Sequence, residues 1–337
     1  MKTNDFYGKY LRPLLENKIF TLILLLVVMV LVFTVWSEII GYHFFKATTF
    51  RNILNSVVVT SFLTIGAGCL LISGEIDLSQ SAVGAFGGLL LATAVSAWKL
   101  PWFFSILLTL LFCALLGALN ALFVDKYRFH SFIGTLAMAS MAKGLMYLFS
   151  SLGSATGIAA NLAFADDALD YIGMGKIGAV PFGVLLMFLF FLIYGVLMSR
   201  TSFGMKVMLK GGNPIAARLA GISATAITYI LFINSAVLGG VSGVINAARV
   251  GQGSLVALTT NQFTGITAAF IGGISFGGGT GNMGGAFIGL LILNTFQIGM
   301  GVVGVNPYWV SVFTGLILIV ALTMDFVSQR SRRAGHV

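Results

Sequence analysis

Charged and amide side chains inside long apolar stretches are where this chain could do chemistry. Burying them in lipid is costly, so they are either paired or used. The densest group is Ser73-Gly74-Glu75-Ile76-Asp77-Leu78-Ser79-Gln80-Ser81. Asp77 or Ser79 could cap the helix that follows, and two carboxylates near a helix N-terminus suit its dipole. A capped inner turn and a gate on a solute pathway are both open readings of Glu75, Asp77 and Ser79. Lys143 sits within another apolar stretch and must snorkel, pair or face a wet cavity. Asn120, Asn234, Asn294 and Gln297 are neutral and suit two roles, interhelical glue or partners for sugar hydroxyls.

A second segment, residues 200–222, reads RTSFGMKVMLKGGNPIAARLAGI. It carries Arg200, Lys206, Lys210 and Arg218 and no acidic residue. Gly211-Gly212-Asn213-Pro214 has turn chemistry: two residues free to take positive φ, then an Asn and a Pro that suit a helix start. Ile215-Ala216-Ala217-Arg218-Leu219-Ala220-Gly221 reads as a short helix closed by Gly221. On its own the segment fits either an ordinary positive loop or a docking piece for a soluble partner.

No catalytic constellation accompanies these groups. There is no G-x-x-x-x-G-K-[ST] phosphate loop, and the glycine-rich run 272–285 lacks the Lys-Ser/Thr pair that a phosphate cradle needs. Ser-His-Asp, H-E-x-x-H and Cys-x-x-Cys arrangements are missing, and His43, His130 and His336 are scattered. Cys69 and Cys113 fall in apolar stretches and read as small buried hydrophobes. The chain is therefore expected to be no enzyme and to bind no cofactor or metal itself. Few embedded carboxylates leave little for a proton or sodium relay, which counts against a secondary active transporter.

The elements that must position these residues are membrane helices. Of 337 residues, 58 % are hydrophobic and 9 % charged, with mean hydropathy +1.00. Soluble domains average about 25 % charged. The 42 glycines suit helices that approach closely in lipid. A span needs about 20 apolar residues. The stretches 18–37, 52–73, 81–98, 101–124, 131–151, 179–199, 225–248, 262–280, 283–303 and 307–326 predict an all-α polytopic protein with about ten transmembrane helices. The border between the eighth and ninth runs through the glycines of 277–285, as a tight turn or a broken helix. The first span follows Lys2, Lys9, Arg12 and Lys18 without a cleavage site and reads as an uncleaved helix.

Basic residues orient the bundle. With the N-terminus inside, thirteen of the 19 fall on the inner side, five on the outer side and Lys143 within a span. Both termini are then cytoplasmic. The tail with Arg330, Arg332 and Arg333 reads as an anchor near anionic lipid. The +9 net charge is thus a matter of topology, and no nucleic-acid partner is expected. The expected organisation is one transmembrane domain: five spans over 18–151, an outer loop 152–178, five spans over 179–326 and a tail 327–337. The outer loop holds Asp166, Asp167 and Asp170 and fits either a small helix or a solvated loop. Two sets of five start from opposite sides, so related halves would form an inverted repeat. No residue-level repeat supports this.

Several stretches together resemble the inner-membrane permease subunit of bacterial ABC importers of the ribose/galactose/xylose type. They are Ile72-Ser73-Gly74-Glu75-Ile76-Asp77-Leu78-Ser79, Gly117-Ala118-Leu119-Asn120, Phe132-Ile133-Gly134-Thr135-Leu136, Lys143-Gly144, Arg200-Thr201-Ser202-Phe203-Gly204, Gly211-Gly212-Asn213 through Gly221, Ile271-Gly272-Gly273-Ile274-Ser275, and Val305-Asn306-Pro307-Tyr308-Trp309. They span nearly the whole chain in the family's order. The resemblance implies a bacterial inner-membrane subunit that translocates a monosaccharide. It implies pairing with a second permease, identical or related, and a cytoplasmic ATPase that supplies ATP and Mg chemistry from beneath. A periplasmic sugar-binding protein would deliver the solute. The family's ATPase contact matches Gly211, Gly212, Asn213, Ala216, Ala217, Arg218 and Gly221. Glu75, Asp77, Ser79, Asn120, Lys143, Asn294 and Gln297 are the pathway or gate candidates.

The chain departs from the family pattern in four places. Glu75 stands for a usual Gly, Gln80 for Val and Lys143 for Arg. Gln262-Phe263-Thr264-Gly265-Ile266-Thr267 stands for Glu-Leu-Asp-Ala-Ile-Ala. The alternative to the importer subunit is a stand-alone secondary transporter or facilitator of small polar solutes.

Overall fold

The computed structural model describes residues 18–258, 261 and 263–334. Expectations resting on Lys2, Lys9, Arg12, Gln262 and His336, and on the side chains of Arg330, Arg332 and Arg333, lie outside what it describes.

Unbroken runs of Leu, Val, Ile and Phe become helices because hydrocarbon offers no partner for a backbone amide, and a helix satisfies its own. The long apolar helices are α1 (Lys18–Ile39), α2 (Ala47–Ile72), α3 (Gln80–Ser96), α4 (Trp102–Ala121) and α5 (Ser131–Gly153). Segment 152–178 holds α6 (Asp167–Met174), and the bundle resumes with α7 (Phe182–Arg200). Two helices occupy the basic segment, α8 (Ser202–Gly212) and α9 (Pro214–Leu219). The chain ends with α10 (Ala224–Val250), α11 (Thr264–Ile271), α12 (Met283–Val302) and α13 (Pro307–Ala334). Among the described residues, eight helices are long and apolar enough to cross a membrane. The protein is an all-α, multi-pass membrane protein.

Two of the ten expected spans differ from expectation. The third, α3, has 17 residues and is buried along most of its length. The eighth was expected over 262–280, but helix forms only over the eight residues of α11. Glycine disfavours helix interiors, and the run from Gly272 to Gly281 replaces the second half of that span with turns before α12.

The bundle is organised from the inside outward. Most of α2 and α10 is buried, whereas α1 and α13 keep almost all their apolar surface outward. That suits a lipid-facing rim around a protein-facing centre. Helices α3 and α10 cross at van der Waals distance because both carry glycine there. A Cβ on Gly243 would collide with the Gly84 carbonyl oxygen. Phe62, Phe86 and Phe232 fill the centre, fully buried.

Segment 152–178 is ordered by its own acids. The Asp166 carboxylate accepts from the Ala168 and Leu169 amides at 3.0 and 3.1 Å, capping α6, and Asp167 and Asp170 lie in its first turn. Of the two readings of this loop, the small helix is the one formed. Two residues, β1 (Leu162–Ala163), pair antiparallel with β4 (Gln252–Gly253) after α10, which ties the segment to the bundle. Strands β2 (Lys176–Ile177) and β3 (Val180–Pro181) form a second short ribbon.

Candidate functional site

The turn 73–79 between α2 and α3 is the most heavily tethered irregular backbone in the bundle. Asp77 is buried, and its carboxylate is held by donors alone. Its Oδ1 accepts from the Ser79 amide at 2.8 Å and the Ser79 hydroxyl at 2.6 Å. Its Oδ2 accepts from the Ser235 hydroxyl of α10 at 2.8 Å. Asn120 of α4 donates to the Ser79 hydroxyl oxygen at 2.8 Å. From α5, the Ser131 and Thr135 hydroxyls accept from the Ile76 and Leu78 amides at 3.2 and 3.0 Å. Gln80 reaches the carbonyls of Phe62 on α2 and Ser235 on α10 at 3.4 and 3.3 Å. Three helices, α4, α5 and α10, therefore converge on seven residues of turn, and Gln80 just beyond it bridges α2 and α10.

Of the two capping candidates at the start of α3, Asp77 is the one that takes a backbone amide, from Ser79. Ser79 is the N-cap residue by position, but its side chain makes no capping bond. Its hydroxyl is already committed to Asp77 and Asn120, so a buried carboxylate with three donors takes precedence over a free helix amide.

The basic segment is also corrected. Gly211 and Gly212 are the last two residues of helix α8, and neither has positive φ. Their lack of a side chain serves close approach instead. A Cβ on Gly211 would collide with the Ile72 carbonyl oxygen, and that carbonyl accepts from the Gly279 amide at 2.8 Å. Two helix ends and a turn from remote parts of the chain thus meet backbone to backbone. The expected short helix is present as α9. The Asn213 side chain accepts from the Ala216 amide at 2.9 Å, Pro214 occupies the first turn, and Gly221 has φ +73° beyond the end.

Ala217 of α9 is buried, while Ile215 and Leu219 are 73 % and 85 % exposed. Beside them a groove of about 560 Å³ is lined by Met205, Lys206, Met208, Leu209 and Ile222. Arg218 faces another hollow of about 230 Å³, with Glu75, Asp125, Arg128 and Lys210.

The remaining candidates lie apart from the turn. Lys143 opens on a cavity of about 150 Å³ between α3 and α5, with Ser81, Tyr147 and Val256 on its wall. Asn294 of α12 is buried against α2: its carbonyl accepts from Ser56 at 2.8 Å, and its amide donates to Leu290 at 2.9 Å and Thr60 at 3.4 Å. Gln297 donates to Thr314 of α13 at 3.5 Å and borders a hollow of about 460 Å³ with Thr264 and Ser311. Asn234 accepts from the Tyr194 hydroxyl.

Ser235 and Lys210 were not among the sequence candidates. Lys210 could have been found from helical period, because Gly204, Val207 and Lys210 follow at i+3 steps and all are buried. No sequence signal singles out Ser235 from the other hydroxyls of α10, Thr225, Thr228, Tyr229 and Ser242.

Known proteins resemble this chain along most of its length. The ribose import permease of Bacillus subtilis (strain 168) is 28 % identical over 288 residues, covering 86 % of this chain and 88 % of that protein. The fructose import permease of Rhizobium meliloti is 29 % identical over 305 residues, 89 % of this chain and 84 % of the relative. A probable ABC transporter permease of Escherichia coli (strain K12) is 30 % identical over 311 residues, 92 % and 91 %. Residues 49–322, from α2 into α13, match a family described as the branched-chain amino acid transport system permease component. With the match running through the tethered turn, the glycine junction and the short basic helix alike, the chain belongs to that permease family.

Proposed function

We propose that this chain is the membrane-spanning subunit of an ATP-driven importer that carries a monosaccharide across the bacterial inner membrane. The observation that carries the reading is the near full-length similarity to ribose, fructose and other ABC permeases. A separate ATPase, holding ATP and Mg, supplies the energy. A periplasmic binding protein supplies the solute, and a second permease copy completes the path.

The surface of α8 and α9 supports the ATPase as partner. Exposed Ile215 and Leu219, with exposed Arg218 on the same helix and exposed Lys206 on α8, give this surface an apolar and basic patch. Such a patch suits a protein partner more than water or acyl chains. In this reading ATP-driven closure of the ATPase pair moves α8 and α9, and the glycine junction passes the movement to turn 73–79. The chain itself performs no covalent chemistry.

Proteoliposomes holding this chain with its cognate ATPase and binding protein should take up sugar only when ATP is supplied. Liposomes with the chain alone should take up none. Accumulation by the chain alone on an ion gradient would establish the stand-alone transporter instead.

A further inference from the structure

Lys210 is a buried cation at the inner end of α8, and its two polar contacts both lie on turn 73–79. Its Nζ reaches Glu75 Oε1 at 3.3 Å and donates to the Ser73 carbonyl at 3.4 Å. The side chains are 8 % and 22 % exposed, 135 positions apart in sequence. A shielded pair of this kind is screened far less than a surface one.

The neighbourhood gives the pair direction. The hollow beside it holds Arg128 and Arg218 as further cations and Asp125 as the other carboxylate. Asp125 accepts from the Thr225 hydroxyl at 3.1 Å, at the start of α10. Glu75 is the carboxylate within ion-pair distance of Lys210. Two residues further along the same turn, Asp77 is bonded to α10 directly and to α4 through Ser79. Next to Lys210, Gly211 lies against Ile72 at the end of α2 and beside Gly74 of the turn.

We infer that the Glu75–Lys210 pair is a strut that positions the gate turn against α8, so that displacement of α8 and α9 reaches Asp77 and the core of the bundle. The strut rests on the importer reading above. Removing one member leaves the other charge half-buried and uncompensated, whereas exchanging the two preserves the attraction.

The test uses the complete importer in proteoliposomes. Wild type, E75Q, K210Q and the exchanged variant E75K/K210E are compared for assembly with the ATPase, melting temperature, and ATP hydrolysed per sugar transported. E75Q and K210Q should assemble and consume about threefold more ATP per sugar. The exchanged variant should return to within about twofold of wild type, which loss of folding in the single variants cannot mimic. Wild-type coupling in both single variants would overturn the strut, and so would an exchanged variant as poorly coupled as they are. A wild-type complex whose ATP turnover ignores sugar-loaded binding protein would overturn the importer reading itself.

Discussion

Asp77 and Ser235 lie 158 positions apart in sequence and are joined by a 2.8 Å hydrogen bond from hydroxyl to carboxylate. The bond closes a ring of donors around a buried acceptor, so its loss cannot be made good by water. Ser235→Ala should destabilise the purified protein by about 1–3 kcal/mol, the cost of an unsatisfied buried acceptor. Asp77→Asn should cost at least as much, because it brings an NH2 donor into a ring of donors. Thermal unfolding in detergent checks both, and a Ser235→Ala midpoint equal to wild type would argue against the network.

The glycine junction yields a steric prediction. Gly211→Ala places a methyl group against the Ile72 carbonyl, which is backbone and already holds the Gly279 amide. Overpacking of this sort costs about 1–3 kcal/mol. The Ala variant should melt lower and transport poorly. Gly212→Ala, whose nearest neighbour would be the Gly279 Cα at 3.4 Å, should be milder. Equal behaviour of the two variants would contradict the close approach.

These two sites show what could be read from the chain in advance. The spans were legible because hydropathy averages over twenty residues, and α9 was legible because Asn213, Pro214 and Gly221 are local signals. The role of Gly211 was not. Glycine permits both a positive-φ turn and a close contact, and only a neighbour from elsewhere in the chain decides between them. Helix α11 misled for a related reason: Ile266, Ala268, Ala269, Phe270, Ile271 and Ile274 keep the hydropathy of 262–280 high while the glycines end the helix. The network partner Ser235 and the ion-pair partner Lys210 were invisible as partners, because pairing across more than a hundred positions leaves no local trace.

Asn294 separates two roles that sequence left open. Its three hydrogen bonds join α12 to α2 and to its own helix, and it is fully buried. Asn294→Leu should therefore lower stability by about 0.6–1.7 kcal/mol, the range for interhelical hydrogen bonds in membranes. Transport per folded molecule should be retained. Loss of transport at unchanged stability would place Asn294 on the solute path instead.

Lys143 predicts the reverse pattern. Its side chain is exposed and opens on the cavity beside Ser81 and Tyr147. Lys143→Met should shift the unfolding free energy by no more than about 0.5 kcal/mol, as for other exposed substitutions. Sugar uptake should fall while assembly with the ATPase is unchanged. A fall in melting temperature with normal uptake would make Lys143 a structural residue.

The exposed face of α9 gives the most direct test of its partner. Ile215 and Leu219 are four positions apart on one side of the helix and contribute little to the core. Charging both, as in I215D/L219D, should leave the melting temperature of the isolated chain within a few degrees, since neither side chain is buried. A carboxylate forced into an apolar contact must be desolvated without a partner, which is strongly unfavourable. The double variant should therefore lose co-purification with the ATPase and all ATP-dependent uptake. Normal co-purification would move the ATPase contact away from α9 and leave its apolar surface to another use.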